Sequence, residues 1–172
     1  MEVIGYKCFN KDFTNRYGLK FETGKLYIAQ PPIKFGLNGS GFHLCKNIED
    51  TFRYYDAMND EVLVCKVKGS GDITECCDEY YGYYEMYSVE NLEILEILNR
   101  EQIINIGLQL NELRVKRFIS GYKLSKKEIE MFKEKFLNFK EVLLTLEYYQ
   151  NNNKNAYLES VIDNGQYYNK RC

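Results

Sequence analysis

The first half of the chain alternates apolar and polar residues over short stretches that are separated by turn-forming residues. This period-two pattern is typical of half-buried β-strands. It predicts strands at residues 3–9, 19–21, 25–29, 42–45, 61–68 and 89–98. The pieces at 19–21 and 25–29 fit a hairpin, and Gly69-Ser70-Gly71 is the expected end of the strand at 61–68. The segment 89–98 also fits a helix, although the strand is favoured. A helical spacing predicts a short helix at 48–58.

The pattern changes after Leu98, where apolar residues recur every three or four positions. Asn99 to Gln102 and Ser125 to Glu128 each have the residues of a capping box, which marks a helix start. These signals predict one helix that ends near Gly121 and a second that keeps its apolar pattern to Leu146 and is broken at Asn151 to Asn153. Along the second, Phe132, Phe136 and Phe139 share a face, for which core burial is favoured over binding in a partner's groove.

Together these elements predict an α+β fold in which a small twisted, mainly antiparallel sheet with short helices precedes an antiparallel helical hairpin. A chain of 172 residues suits one domain, or one domain with a helical extension. We therefore expect an α+β domain over 1–98 and a helical hairpin with a C-terminal tail over 99–172.

Charge and hydropathy exclude some functions. Lys and Arg number 23 against 25 Asp and Glu, so no overall positive field favours direct nucleic-acid or anionic-membrane binding. The chain has no signal-peptide pattern and no apolar run long enough to span a bilayer, which predicts a cytoplasmic protein. Its 16 tyrosines include a dense segment that is a candidate binding surface, although biased base composition explains the enrichment equally well: Tyr80, Tyr81, Tyr83 and Tyr84.

The six cysteines include no C-x-x-C pair, and the single histidine cannot complete a zinc site of two cysteines and two histidines. We expect reduced thiols and no metal. His43 and Cys45 would project from one side of the predicted strand, with Phe42 and Leu44 on the other. A histidine beside a thiol can activate it, but simple packing in a half-buried strand is the favoured interpretation.

Several short motifs resemble a poorly characterised family of small domains from phages and bacteria. Its pattern is G-Y-K-x-F-N-x-D-F-T, then F-E-x-G-K-x-Y, then G-F-H-x-C and a Y-Y helix. This chain matches it at Gly5–Asn10, Asp12–Thr14, Phe21–Tyr27, Gly41–Cys45 and Tyr54-Tyr55, within residues 4–73. Asn15 stands where the family usually has cysteine. The resemblance implies a phage or prophage origin and no established activity.

The order of elements is also similar to the ADP-ribosyltransferase superfamily, whose core binds NAD. That resemblance implies a nicotinamide site lined by Tyr6 and His43, with Lys7 holding a phosphate or competing for the carboxylate. The catalytic glutamate would come from Glu85, Glu90 or Glu93, and nothing in the local sequence selects one. No nucleophile elbow, phosphate-binding loop or zinc-protease motif is present.

The favoured hypothesis is a phage-type accessory protein without a cofactor that binds a host protein or ribonucleoprotein complex, for example to inhibit a CRISPR effector. The candidate contact residues are Lys7, Phe42, Cys45, Tyr54, Tyr55 and the tyrosines at 80, 81, 83 and 84. The alternative is an NAD-dependent ADP-ribosyltransferase-like enzyme that uses Tyr6, His43 and Glu85 or Glu90.

Overall fold

The computed structural model describes residues 1–35, 39–78 and 84–152. The described strands and helices confirm the α+β class. In chain order they are β1 (Glu2–Asn10), β2 (Leu26–Ile28), β3 (Phe42–Cys45), α1 (Ile48–Thr51), β4 (Val62–Asp78), β5 (Tyr84–Ile97), α2 (Arg100–Leu108), α3 (Glu112–Gly121), α4 (Lys126–Lys135) and α5 (Lys140–Asn152).

The antiparallel pairings connect four strands in a closed circuit. β1 pairs with β4 along its whole length, from Glu2 opposite Ser70 to Asn10 opposite Val62. β4 pairs with β5, β5 pairs with β3, and β3 returns to β1. The last pairing is short, because its register joins only Tyr6 to Cys45 among the described residues. β2 lies at the edge, where it pairs with β5.

Glycines let the long β4–β5 pair bend. The register shifts between Ser70 and Ile73, and Gly71 adopts a φ of 81° there. The sequence-based prediction that β4 ends at Gly69-Ser70-Gly71 is therefore wrong, because these glycines form an irregularity inside a strand that continues to Asp78. The predicted hairpin is also wrong, since residues 19–21 form no named strand and β2 pairs with β5.

An inner hydrophobic core lies on one side of these strands. Phe42 and Leu44 pack toward it, as the alternation predicts. Its buried residues are Phe9, Phe21, Leu44, Cys65, Val67, Tyr87, Val89, Leu92 and Ile94. Phe21 contacts the rings of Phe9, Tyr27 and Phe42, with centroids 4.8, 4.7 and 6.3 Å away. The F-E-x-G-K-x-Y element thus supplies aromatic packing to the core.

A second core joins the sheet to the helices. Cys8 and Val64 from the strands pack in the same cluster as Phe52, Phe118 and Phe132. The residues before and after Leu98 therefore share buried surface. Ion pairs connect the same parts: Glu49 of α1 accepts two hydrogen bonds from Arg114 of α3, and Asp50 accepts one from Arg117.

The helical segments are shorter than the sequence predicts. Both capping boxes are confirmed, and α3 ends at Gly121 as expected. The predicted hairpin of two long helices is instead four helices, because the chain turns before Asn111, which caps α3, and again at Phe136. The predicted helix at 48–58 contains only the four residues of α1. The three-to-four-residue spacing of apolar residues continues across these turns. Periodicity in the sequence therefore does not indicate where the helices break.

Candidate functional site

Lys7 occupies the seam where β1 and β3 separate beyond Tyr6 and Cys45. Its Nζ donates a hydrogen bond of 2.6 Å to the backbone carbonyl oxygen of His43 and lies 5.8 Å from the ring centroid of Phe9. Burial lowers the pKa of Lys7 to about 8, and the positive charge of Arg16 acts in the same direction. The amine is therefore mostly protonated at pH 7 and close to its titration point.

His43 follows a backbone bend that only glycine accommodates easily. Gly41 has a φ of 118°, and a side chain there would overlap the hydroxyl of Ser88. The His43 residue is exposed, yet its ring packs against that of Phe35 in a tilted arrangement, with centroids 4.7 Å apart. Desolvation of the imidazole lowers the pKa of His43 to about 4, and the positive charges of Lys7 and Arg16 act in the same direction. The imidazole is neutral at pH 7.

Arg16 comes from the loop after β1, which the D-F-T element organises. Asp12 Oδ1 accepts hydrogen bonds from the backbone N–H and the hydroxyl of Thr14, at 3.1 and 2.6 Å. Asn15 Oδ1 accepts from the N–H groups of Tyr17 and Leu19. The motif therefore acts as a loop scaffold, in which the amide of Asn15 has a structural role.

We call Lys7, Arg16 and His43 the basic corner. No carboxylate of the described residues forms an ion pair with any of the three. The guanidinium carbon of Arg16 lies 5.9 Å from the ring centroid of Tyr54, and Arg16 opposes the rise that burial causes in the pKa of Tyr55. The structure thus gathers candidates Lys7, His43, Tyr54 and Tyr55, whereas Arg16 was missed because no motif singles it out.

The thiols near this corner lack the properties of nucleophiles. Burial raises the pKa of Cys8 and of Cys65 to about 12 and that of Cys45 higher still. Cys8 Sγ donates to Thr51 Oγ1 at 3.1 Å. These cysteines are protonated at neutral pH, the opposite of what thiolate chemistry requires. Cys45 is buried, whereas Phe42 is partly buried where it packs against the inner core.

Tyr6 lines a separate cleft of about 300 Å³ between the sheet and α2. The remaining lining residues are Lys66, Glu96, Leu98, Gln102, Asn105, Ile106 and Gln109. Gln102 already donates to Glu96 Oε1 at 2.5 Å and caps α2, so part of this polar lining is internally satisfied.

The candidate catalytic glutamates have other partners. Glu85 pairs with Lys46, Glu93 pairs with Lys68, and Glu90 accepts a hydrogen bond from the Asp72 N–H. No contact among the described residues joins Tyr6, His43 and one of these carboxylates. The enzyme alternative therefore stays a prediction. Tyr80, Tyr81 and Tyr83 lie outside the described residues, and Tyr84 is described only as the first residue of β5.

The outer face of the sheet carries a row of paired residues that we call the outer row: Ile4, Lys68, Glu93 and Leu26 from β1, β4, β5 and β2. Directly paired residues project from the same face of a sheet. Ile4 and Leu26 are 49% and 53% exposed, and Ile28, two residues further along β2, is 62% exposed. Lys68 binds Glu93 at 2.9 Å and approaches Glu2 at 3.8 Å, so its positive charge is offset by carboxylates.

In the part of the chain that the structure describes, no three His, Cys, Asp or Glu side chains are grouped to hold a metal ion. No helix there combines the length and apolar character needed to cross a bilayer.

These features define the class: a small α+β protein with a closed circuit of strands, a helical layer and a basic corner at one strand seam. The chain belongs to the family described as a domain of unknown function, DUF7666, whose model matches residues 3–104. This confirms membership of an uncharacterised small-domain family. No curated protein and no solved structure matches the chain.

Proposed function

We propose that this protein acts as a phage-type accessory protein by binding a host macromolecule through the outer row and Ile28. The supporting observation is the exposure of Ile4, Leu26 and Ile28 on one face of the sheet. Apolar side chains that remain open on a regular sheet face are a common feature of protein interaction sites.

The charge pattern of the same face favours a protein over a polyanion. Lys68, the cation of the outer row, is engaged by Glu93 and Glu2, so the row itself offers no unpaired cation to a phosphate backbone. Interfaces between proteins combine an apolar centre with polar groups at the rim, and the outer row has both.

The specific partner class that we propose is a bacterial defence complex such as a CRISPR effector, with the accessory protein acting as its inhibitor. This version rests on the phage-like motifs of the sequence. Its direct test is target cleavage by a purified effector with and without excess protein; unchanged cleavage over a range of effector types would contradict it.

The binding surface is tested by placing charges on the outer face. The Leu26→Asp, Ile28→Asp double variant replaces two exposed apolar side chains, whereas Leu137→Asp changes a 69% exposed leucine in the helical half. We expect the wild type and the Leu137 variant to capture the same stoichiometric partner from host lysate. The double variant should lose it while keeping the wild-type melting temperature. Equal capture by all three proteins would reject this surface.

A further inference from the structure

We propose that the basic corner binds the phosphate group of a small phosphorylated ligand, an activity separate from the macromolecular binding proposed above. Lys7 binds the His43 carbonyl at the β1–β3 seam, and Arg16 lies close enough for its charge to act on both residues. None of the three has an acidic ion-pair partner among the described residues. Elsewhere, a neighbouring carboxylate raises the pKa of the basic side chain, as at Lys46, Lys68, Arg100 and Arg114.

The donors of the corner are only partly used. The Lys7 ammonium has three N–H groups, and the hydrogen bond to the His43 carbonyl accounts for one. The Arg16 guanidinium lies over the rings of Tyr17 and Tyr54, at 5.2 and 5.9 Å from the centroids. A guanidinium that contacts aromatic rings keeps its N–H groups for an oxyanion. The neutral imidazole of His43 adds one N–H.

Electrostatics favour a doubly charged anion at this position. Arg16 opposes protonation of Lys7, and both oppose protonation of His43. A bound phosphate would remove this mutual repulsion and stabilise the charged form of Lys7. Phosphate also offers several oxygens as acceptors, which matches two cationic donors better than a single carboxylate does.

The recognised phosphate is either free or carried by an organic group, and the residues around the corner distinguish these two ligands. Tyr17 is 81% exposed beside Arg16, so a planar base attached to the phosphate has an aromatic ring to contact. Inorganic phosphate and adenosine monophosphate are therefore the two probes. Tighter binding of the nucleotide identifies a ligand with a ring, and equal affinities identify the phosphate alone as the recognised group.

The experiment is isothermal titration calorimetry of the full chain with each probe at pH 7.0 and pH 9.5. We expect saturable binding that weakens at the higher pH, because Lys7 then loses its proton. Lys7→Met and Arg16→Gln should each weaken binding about tenfold or more, as expected for a lost charge-assisted hydrogen bond. Lys127→Gln, a change of an exposed lysine in α4, should leave the affinity unchanged.

The proposal is overturned if neither probe binds saturably in the millimolar range, or if Arg16→Gln and Lys127→Gln bind as well as the wild type. Arg16 is exposed, so its variant is expected to fold even if Lys7→Met does not. The Leu26→Asp, Ile28→Asp variant should keep phosphate affinity, which separates a failure of this proposal from a failure of the macromolecular one.

Discussion

The side-chain amide of Gln150 joins α5 to the preceding helical segments. Its Oε1 accepts the Leu124 N–H at 2.9 Å, and its Nε2 donates to the carbonyl oxygens of Ile119 and Tyr122. Gln150→Leu would leave these buried backbone groups without that partner. We expect the free energy of unfolding to fall by about 3 kcal/mol, measured by urea denaturation.

The matched control is Gln109→Leu, which makes the same chemical change at an exposed position after α2. Its effect should stay within about 0.5 kcal/mol. Equal losses in the two variants would show that the hydrogen bonds of Gln150 are not the cause.

Asp50 gives the stability of the protein a predictable pH dependence. Burial and the neighbouring Glu49 raise its pKa to about 6 from 3.8, although Asn47 and Arg117 oppose the rise. The folded state therefore holds the proton more tightly than the unfolded state. The stabilising contribution is complete below about pH 4 and is lost as the pH rises through 6, a change on the order of 3 kcal/mol.

The check is urea unfolding of the wild type and Asp50→Asn at pH 4 and pH 7. Because asparagine does not titrate, the wild type should lose stability relative to the variant by that amount between the two pH values. A stability difference that is the same at both pH values would contradict the raised pKa.

Among the elements, α2 carries a glycine where a helix normally prefers alanine. A Cβ on Gly107 would lie 2.7 Å from the ring of Phe118 and 2.9 Å from that of Phe132, both fully buried. Alanine gains up to about 1 kcal/mol in helix propensity, but overpacking a rigid core costs about 1–3 kcal/mol. We expect Gly107→Ala to lower the melting temperature. Asn105→Ala, at an exposed position of α2, should instead maintain or raise it.

The elements also show what the sequence could and could not predict. Alternation located β1 and β3, and the capping boxes located α2 and α4, because these signals are local. The partner of β2 and the continuation of β4 past Gly71 depend on distant strands. The sequence predicts only part of the basic corner. Lys7 and His43 belong to recognisable motifs, whereas the position of Arg16 depends on the fold of the loop after β1.

At the scale of the whole molecule, the division into a domain over residues 1–98 and a helical part after Leu98 remains a prediction. Truncation of the chain after Leu98 tests it. The second core combines Cys8, Phe52 and Val64 with helical residues, and Arg114 and Arg117 are the partners of Glu49 and Asp50. We therefore expect a fragment of residues 1–98 to be molten or insoluble, with dye binding and no near-ultraviolet circular dichroism. A cooperative unfolding transition of this fragment would instead establish it as an independent unit.

The closed circuit of strands also affects how the protein forms. β1 is synthesised well before β4, with which it pairs: Asn10 pairs with Val62, and Glu2 pairs with Ser70. Such distant pairings give a high contact order, which slows folding because long loops must close before the contacts form. The apolar side of β1, including Phe9, consequently stays uncovered in the nascent chain until β4 is made. We infer that the growing chain is most prone to aggregation during this interval.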